Sequence, residues 1–319
     1  MRLISLVVPV AIALAAGAPA GAQSSDTGQS GPFHWTDRIP AGATLRILTI
    51  RGDIHLSSAS GDRADVAGEP RTDARSGGRR IAFKVVHEPG SNDVTICAYL
   101  PDGGRCDAHG VHEHNDVDVD IDDNEVDGHG RVPAADFTVQ LPKGVNVVLV
   151  TGNGRVDATN AGADVSVTSG NGAIRVSQAA GAVRANSGNG EVTVDGAGGR
   201  VRAHTGNGRV EVATSTGPVD ATSGNGAIDV RMRTLAKPTD MEFSTGNGTI
   251  TVSLPSNFAG ELDATTGHGS VTSDFAMQAV GRITPNHVRA DIGAAAAAGG
   301  GARLRLSTGN GDLVLRKAD

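Results

Sequence analysis

One four-residue phrase recurs through the second half of this chain and narrows what it can become. It runs Thr151-Gly-Asn-Gly, Ser169-Gly-Asn-Gly, Ser187-Gly-Asn-Gly, Thr205-Gly-Asn-Gly, Ser223-Gly-Asn-Gly, Thr245-Gly-Asn-Gly, Thr266-Gly-His-Gly and Thr308-Gly-Asn-Gly. The first glycines are Gly152, Gly170, Gly188, Gly206, Gly224, Gly246, Gly267 and Gly309, evenly spaced as far as Gly224 and more widely after it. A short fixed period of this kind is the signature of a solenoid, in which each unit buries its apolar face only against its neighbours.

Each unit divides into two strands. Five and three positions before the first Gly come Val165 and Val167, Val183 and Ala185, Val201 and Ala203, Val219 and Ala221; after the second come Ile174 and Val176, Val192 and Val194, Val210 and Val212, Ile228 and Val230. Strict period-two alternation puts one face inward and one outward. The outward set is polar: Arg175, Arg184, Thr193, Arg202, Glu211, Asp220, Asp229, Glu242 and Thr251. Gly-Asn-Gly is then a corner, because Gly and Asn accept positive φ. A second corner often carries its own glycine, as at Gly162, Gly181, Gly199, Gly217 and Gly260. The expectation is an all-β chain, a β-solenoid of about nine coils. In the long interval between Gly267 and Gly309, Val288 and Ala290 read as a degenerate coil, followed by an Ala/Gly insertion at 293–301.

Composition agrees with a thin core. There are 45 Gly in 319 residues and only eight aromatics, so Val, Ala, Ile and Leu must fill the interior. Upstream, 34–142 reads as an irregular β region that caps the solenoid of 143–319, although Arg51-Gly-Asp-Ile-His-Leu56 looks like half a repeat. An open solenoid end exposes unpaired strands and needs such a cap.

The segment 1–22 has the three parts of a secretory signal: Arg2, the apolar Leu3–Ala15 and the small-residue site Ala20-Gly21-Ala22. Cleavage would leave a polar, disordered 23–33 and no later segment apolar enough to span a bilayer. Export to the periplasm or cell surface makes a disulfide between Cys97 and Cys106 the expected pairing, across the turn at Pro101-Asp-Gly-Gly104.

The formal charge of −7 is local. Residues 107–127 hold nine carboxylates and no Lys or Arg, leaving the remainder at +2. This loop, 106–130, is the one chemically rich segment. His109, His112, His114 and His129 lie among Asp116, Asp118 and Asp120, and they are the candidate metal ligands. The alternative to a metal site is a solvated acidic insertion, and no cofactor is expected beyond a loosely held divalent cation. Neither the EF-hand glycine nor the zinc-protease His spacing is present.

The phrase Phe137-Thr-Val-Gln-Leu-Pro-Lys-Gly-Val145, the Thr-Gly-Asn-Gly coils and the closing Leu304-Arg-Leu-Ser-Thr-Gly-Asn-Gly-Asp-Leu313 resemble the bacterial "putative adhesin" family of β-strand-repeat envelope proteins, itself a domain of unknown function. The resemblance spans about Leu45–Lys317 and implies an exported β-solenoid. It carries no catalytic residue, and the acidic loop and the Ala/Gly insertion are not part of its pattern.

Other chemistries fail on residues. A calcium roll needs Asp two positions after the last glycine, where Val156, Ile174, Val192, Val210 and Ile228 stand. A phosphate loop lacks Gly-Lys-Ser/Thr, a serine hydrolase lacks Gly-x-Ser-x-Gly, and nucleic-acid binding lacks a basic patch interleaved with aromatics. A carbohydrate-active β-helix enzyme is disfavoured by the shortage of aromatic platforms. The asparagines Asn153, Asn171, Asn189, Asn207, Asn225, Asn247 and Asn310 are expected to stack as a structural corner ladder, with His268 interrupting it. The reading is a non-catalytic structural or adhesion-type binding module with an unidentified envelope ligand, and the alternative is a metal-responsive protein using 107–129.

Overall fold

Alternation between small β-branched residues and polar ones leaves few choices but strand, and the computed structural model is all-β, with every named element a strand. It describes residues 31–71, 80–101, 104–112, 117–120, 126–128, 134–214, 216–237, 239–280, 284–293 and 301–318. The signal segment 1–22, most of 23–33 and most of the Ala/Gly insertion lie outside these. Phe33, assigned by sequence to the disordered terminus, instead opens the strand Phe33–Asp37.

The strand that leads into each corner and the strand that leaves it belong to two different sheets, of thirteen and twelve strands. Equivalent residues of successive units pair in parallel: Val165 with Val183, Val183 with Val201, Val201 with Val219 in the leading sheet, and Ile174 with Val192, Val192 with Val210 in the trailing one. The inward side chains close into one continuous buried cluster.

Coil order in space departs from order in sequence at both ends. Thr44–Arg51 lies between Asn146–Asn153 and Val94–Tyr99, and Ile54–Ser58 between Val156–Thr159 and Ala134–Leu141. The half-repeat at Arg51–Leu56 is thus part of a complete coil, and 44–58, 94–99 and 134–141 are solenoid strands within the region read as a cap. At the far end Ala302–Asn310 inserts between Met241–Asn247 and Gly260–His268, and Leu313–Ala318 between Ile250–Pro255 and Val271–Ser273. The first and last coils of the chain each therefore gain two stacked neighbours rather than one, which protects segments that otherwise fray. Once the antiparallel cap strands are set aside, ten parallel strands remain in each sheet among the described residues. Val288 and Ala290 do face inward, 4% and 0% exposed, but on an antiparallel strand, His287–Ile292, between Gly260–His268 and Met277–Ala279, rather than in a further coil.

The caps hold the bulk that the coils lack. Ala82–His87 runs antiparallel to Val94–Tyr99, and Ala64–Arg71 is flanked by Ala134–Leu141 and Phe33–Asp37. Phe83 stacks on Phe33 with centroids 5.0 Å apart and meets Phe137 edge-on at 5.7 Å. The other three phenylalanines, Phe243, Phe258 and Phe275, are buried toward the opposite end. Between them the core is almost entirely Val, Ala and Ile.

The corners owe their glycines to close approach. A Cβ on Gly172 would lie 1.9 Å from the carbonyl oxygen of Gly154, and one on Gly226 1.9 Å from that of Gly208. None of the corner asparagines has positive φ, so conformational tolerance does not explain them. At the second corner the positive φ falls on Asn160 (55°), Gln178 (56°) and Gly196 (79°), ahead of the glycines named from sequence. The Ser or Thr that opens each phrase points inward: Ser169 Oγ donates to Gly154 O at 3.0 Å, Ser187 to Gly172 O at 3.0 Å, Thr205 to Gly190 O at 2.9 Å and Thr308 to Gly248 O at 3.0 Å. Thr266 donates to Gly311 O at 2.8 Å, so this buried ladder follows the spatial order through the inserted coil.

Candidate functional site

At one coil the corner phrase is replaced by an insertion. Val94–Tyr99 leads into the segment 100–133, whose described strands form a separate antiparallel sheet ordered Val126–Gly128, Val117–Asp120, Gly110–His112, Arg105–Cys106. This lobe lies on the outer face of the leading sheet, where Leu48, Ile50, Cys97 and Val150 form a second buried cluster with Leu100, Cys106 and Val111. Cys97 and Cys106 are bonded, with Cα atoms 6.1 Å apart, and tie the lobe to that face. The sequence reading of a solvated insertion missed this docking. Its signal was present in Leu48, Val148 and Val150, outward positions that are apolar where every later coil is polar.

Among the candidate metal ligands, His109 sits exposed in a turn whose Asp107 carboxylate accepts from the backbone N–H of His109 at 2.8 Å and of Gly110 at 3.1 Å. His112 is placed directly opposite Asp118 in the antiparallel register, and Asp120 opposite Gly110. His114, Asp116 and His129 lie outside the described residues. No group of three or more His, Cys, Asp or Glu that could hold a metal comes together among the described residues.

The asparagines form a continuous exposed amide ladder. Asn171 Nδ2 donates to Asn153 Oδ1 at 3.0 Å, and the pattern repeats through Asn189, Asn207, Asn225 and Asn247 to Asn310 at 2.9, 2.8, 2.8, 2.7 and 2.7 Å. Because the last coil is inserted, Asn310 follows Asn247 directly, and His268 stands beside Asn310 at the far end instead of interrupting the row.

Beyond the lobe, the leading sheet presents two outward rows. The first runs Ser166, Arg184, Arg202, Asp220, Glu242, Arg305, Asp263; the second runs Thr168, Asn186, His204, Thr222, Ser244, Ser307, Thr265. Two adjoining concavities cross these rows. One, of about 480 Å³, is lined by Arg184, Asn186, Arg202, Ala203, His204, Asp220 and Thr222. The other, of about 420 Å³, shares Arg202 and Asp220 and adds Arg200, Arg303 and Arg305 together with Asp240, Met241 and Glu242. Asp220 is paired with Arg200 and lies 3.8 Å from Arg202 Nε. A further concavity, about 670 Å³, lies elsewhere, among the turns at Arg38–Ala41, Ala59–Asp62 and Pro142–Lys143, where Arg38 and Asp62 form an exposed ion pair at 2.9 Å.

Two charges are clearly tuned, both at the far end of the stack. Hydrogen bonding and attraction from Glu261 raise Arg289 above its ordinary value. Backbone and side-chain hydrogen bonds from Ser270, at 2.8 and 2.9 Å, hold Asp312 below its ordinary value. The Arg289 pair joins His287–Ile292 to Gly260–His268, and the Asp312 pair ties the inserted coil to the neighbouring turn at Ser270.

The family model described as Toastrack DUF4097 matches residues 80–316. No curated protein matches the chain. Among solved structures, a "putative cell adhesion protein" from Clostridium sporogenes ATCC 15579 is 11% identical over 90% of this chain and 100% of that one, with a TM-score of 0.24. A "putative adhesin" from Bacteroides fragilis NCTC 9343 is 10% identical over 91% of this chain and 99% of that one, with a TM-score of 0.44.

Proposed function

The chain belongs to the Toastrack DUF4097 family, and from that premise we propose that it is an exported, non-catalytic binding rod of the bacterial envelope. The observation that carries this reading is the second outward row of the leading sheet, in which Asn186, His204, Thr222, Ser244, Ser307 and Thr265 repeat one hydrogen-bonding group per coil. Neighbouring coils are about 4.8 Å apart, and the parallel stack beneath fixes their spacing. A surface of that kind suits an extended or repeating ligand met by many small contacts rather than a single small molecule. Among the described residues no helix is long and apolar enough to cross a membrane.

The test is removal of one whole period. Deleting 188–205 takes out a single complete unit and joins equivalent positions, so the remaining strands keep their register. Retention of the purified chain on an insoluble envelope fraction should weaken in the deletion variant without disappearing. Complete loss in a variant whose circular dichroism stays β-like, or a turnover activity abolished by one outward carboxylate substitution, would overturn the reading.

A further inference from the structure

We propose that the Arg184–Arg202 trough binds an acidic polysaccharide with well-spaced carboxylates, an inference that rests on the reading of the rod as an envelope binder and names its ligand class. Like charges directly opposite each other on neighbouring strands are unfavourable, yet Arg184 and Arg202 are direct neighbours on adjacent strands. Arg184 has no ion-pair partner among the described residues, and Arg202 has only the distant edge of Asp220, which is already engaged by Arg200. Both guanidinium groups are exposed and border the same concavity as His204, Asn186 and Thr222. Three coils further on, Arg305 is again exposed and without an ion-pair partner among the described residues, beside Arg303 in the adjoining concavity. Outside residues 107–127 the chain carries a net charge of +2.

What lies between the arginines selects the ligand. Asp220 and Glu242 occupy the same row between Arg202 and Arg305. A nucleic acid strand carries a phosphate about every 3.4 Å and would press several of them against these carboxylates. A glycan with an acidic group on alternate sugars can set its charges on the arginines and turn neutral hydroxyl-bearing rings toward Asp220 and Glu242. Arginine matches a carboxylate with two parallel hydrogen bonds, and the parallel row of hydroxyl, amide and imidazole groups supplies partners for ring hydroxyls. A protein partner is disfavoured, because hot spots need apolar or aromatic anchors and, of the exposed large hydrophobics of the described residues, Met277 stands on the edge strand of this sheet with five strands between it and that of Arg202, and Val280 follows it in the chain.

Hyaluronan oligosaccharides, with one carboxylate on every second sugar, are the probe, measured by calorimetry against neutral dextran and single-stranded DNA. The expected result is salt-sensitive binding of hyaluronan alone, weakened at least about tenfold in Arg184→Ser/Arg202→Ser and unchanged in Arg175→Ser on the opposite sheet. Equal loss in Arg175→Ser, tighter binding of DNA, or no binding of hyaluronan overturns the proposal. If hyaluronan fails while the envelope fraction still retains the protein, the ligand class is wrong and the reading of the rod stands. If both fail, that reading falls first.

Discussion

Replacing Gly172 by Ala tests the claim that stacked backbones, rather than conformational freedom, fix the corner glycines. The added Cβ would sit 1.9 Å from Gly154 O and 2.5 Å from Gly154 C, and both are main-chain atoms that cannot swing aside. Restoring ordinary contact, at 3.4 Å, means parting two coils by about 1.5 Å, a third of their roughly 4.8 Å spacing. Among the hydrogen bonds that cross that step are Gly154 N to Asn171 O at 3.0 Å, Ser169 Oγ to Gly154 O at 3.0 Å, and Asn171 Nδ2 to Asn153 Oδ1 at 3.0 Å. Opened by that much they fall outside bonding range. Losing a buried hydroxyl and a backbone bond costs about 1–3 kcal/mol, and overpacking about 1–3 kcal/mol more, so Gly172→Ala should destabilise by about 2–6 kcal/mol. Gly196→Ala isolates backbone conformation, since φ there is +79° and the nearest atom is 3.6 Å away; it should cost about 1–2 kcal/mol. Gly61→Ala meets nothing within 4 Å and should range from neutral to about 1 kcal/mol stabilising. Urea unfolding followed by circular dichroism gives the three values. A Gly172→Ala cost no larger than that of Gly196→Ala would refute the close-approach account.

Three further outcomes are expected. Cys97→Ala/Cys106→Ala should cost about 2–3 kcal/mol for so short a loop, with hydrogen exchange quickening in 104–112 while 165–252 is unchanged; equal quickening in the coils would show that the lobe is not a local unit. Gln178→Gly removes a left-handed side-chain residue and should stabilise by up to about 1 kcal/mol, read as a raised urea midpoint, and a lowered midpoint would contradict the assignment. Because Asp312 is depressed in the folded state, its contribution is present above the ordinary carboxylate value and fades as pH falls through the lower folded value. The Tm gap between the native chain and Asp312→Asn should therefore be widest near neutrality and close in acid, whereas a gap that widened in acid would reverse the sign.

Much of the architecture was legible because a short period leaves few alternatives. Val183, Ala185, Val192 and Val194 announce two inward-facing strands, and one phrase repeated at a constant interval stacks them. The register of each coil follows, and so does the asparagine row, since residues one period apart must lie side by side. What was hidden depends on contacts the period does not encode. Nothing in the phrase at Thr308 says that its coil inserts ahead of the one at Thr266; that order is written in the hydroxyl of Thr266 donating to Gly311 and in the fit of Leu304, Leu306, Leu313 and Leu315 between two existing layers. The docking of the lobe was readable in part, from Leu48, Val148 and Val150, but only after asking why outward residues there were apolar. The candidate face was the least legible. Arg184 and Arg202, one period apart, are adjacent by the same rule, but Arg305 joins their row only because its coil inserts beside Met241–Asn247.

The arrangement of the coils also explains why the proposed binding surface falls where it does. The corner edge is consumed by amide-to-amide bonds and by glycines that tolerate no side chain. The interior is filled by Val and Ala packed between the phenylalanines at the two ends. On the leading sheet the first three coils are covered by the disulfide-tied lobe, and the far edge by the antiparallel strands Met277–Ala279 and His287–Ile292. Side-chain identity is left free along the outward rows from Arg184 to Arg305, where a substitution changes neither stacking nor register. A solenoid with a fixed skeleton and one open stretch of its leading face can vary its ligand there at little cost in stability, and that stretch is where Arg184, Arg202, Arg303 and Arg305 stand.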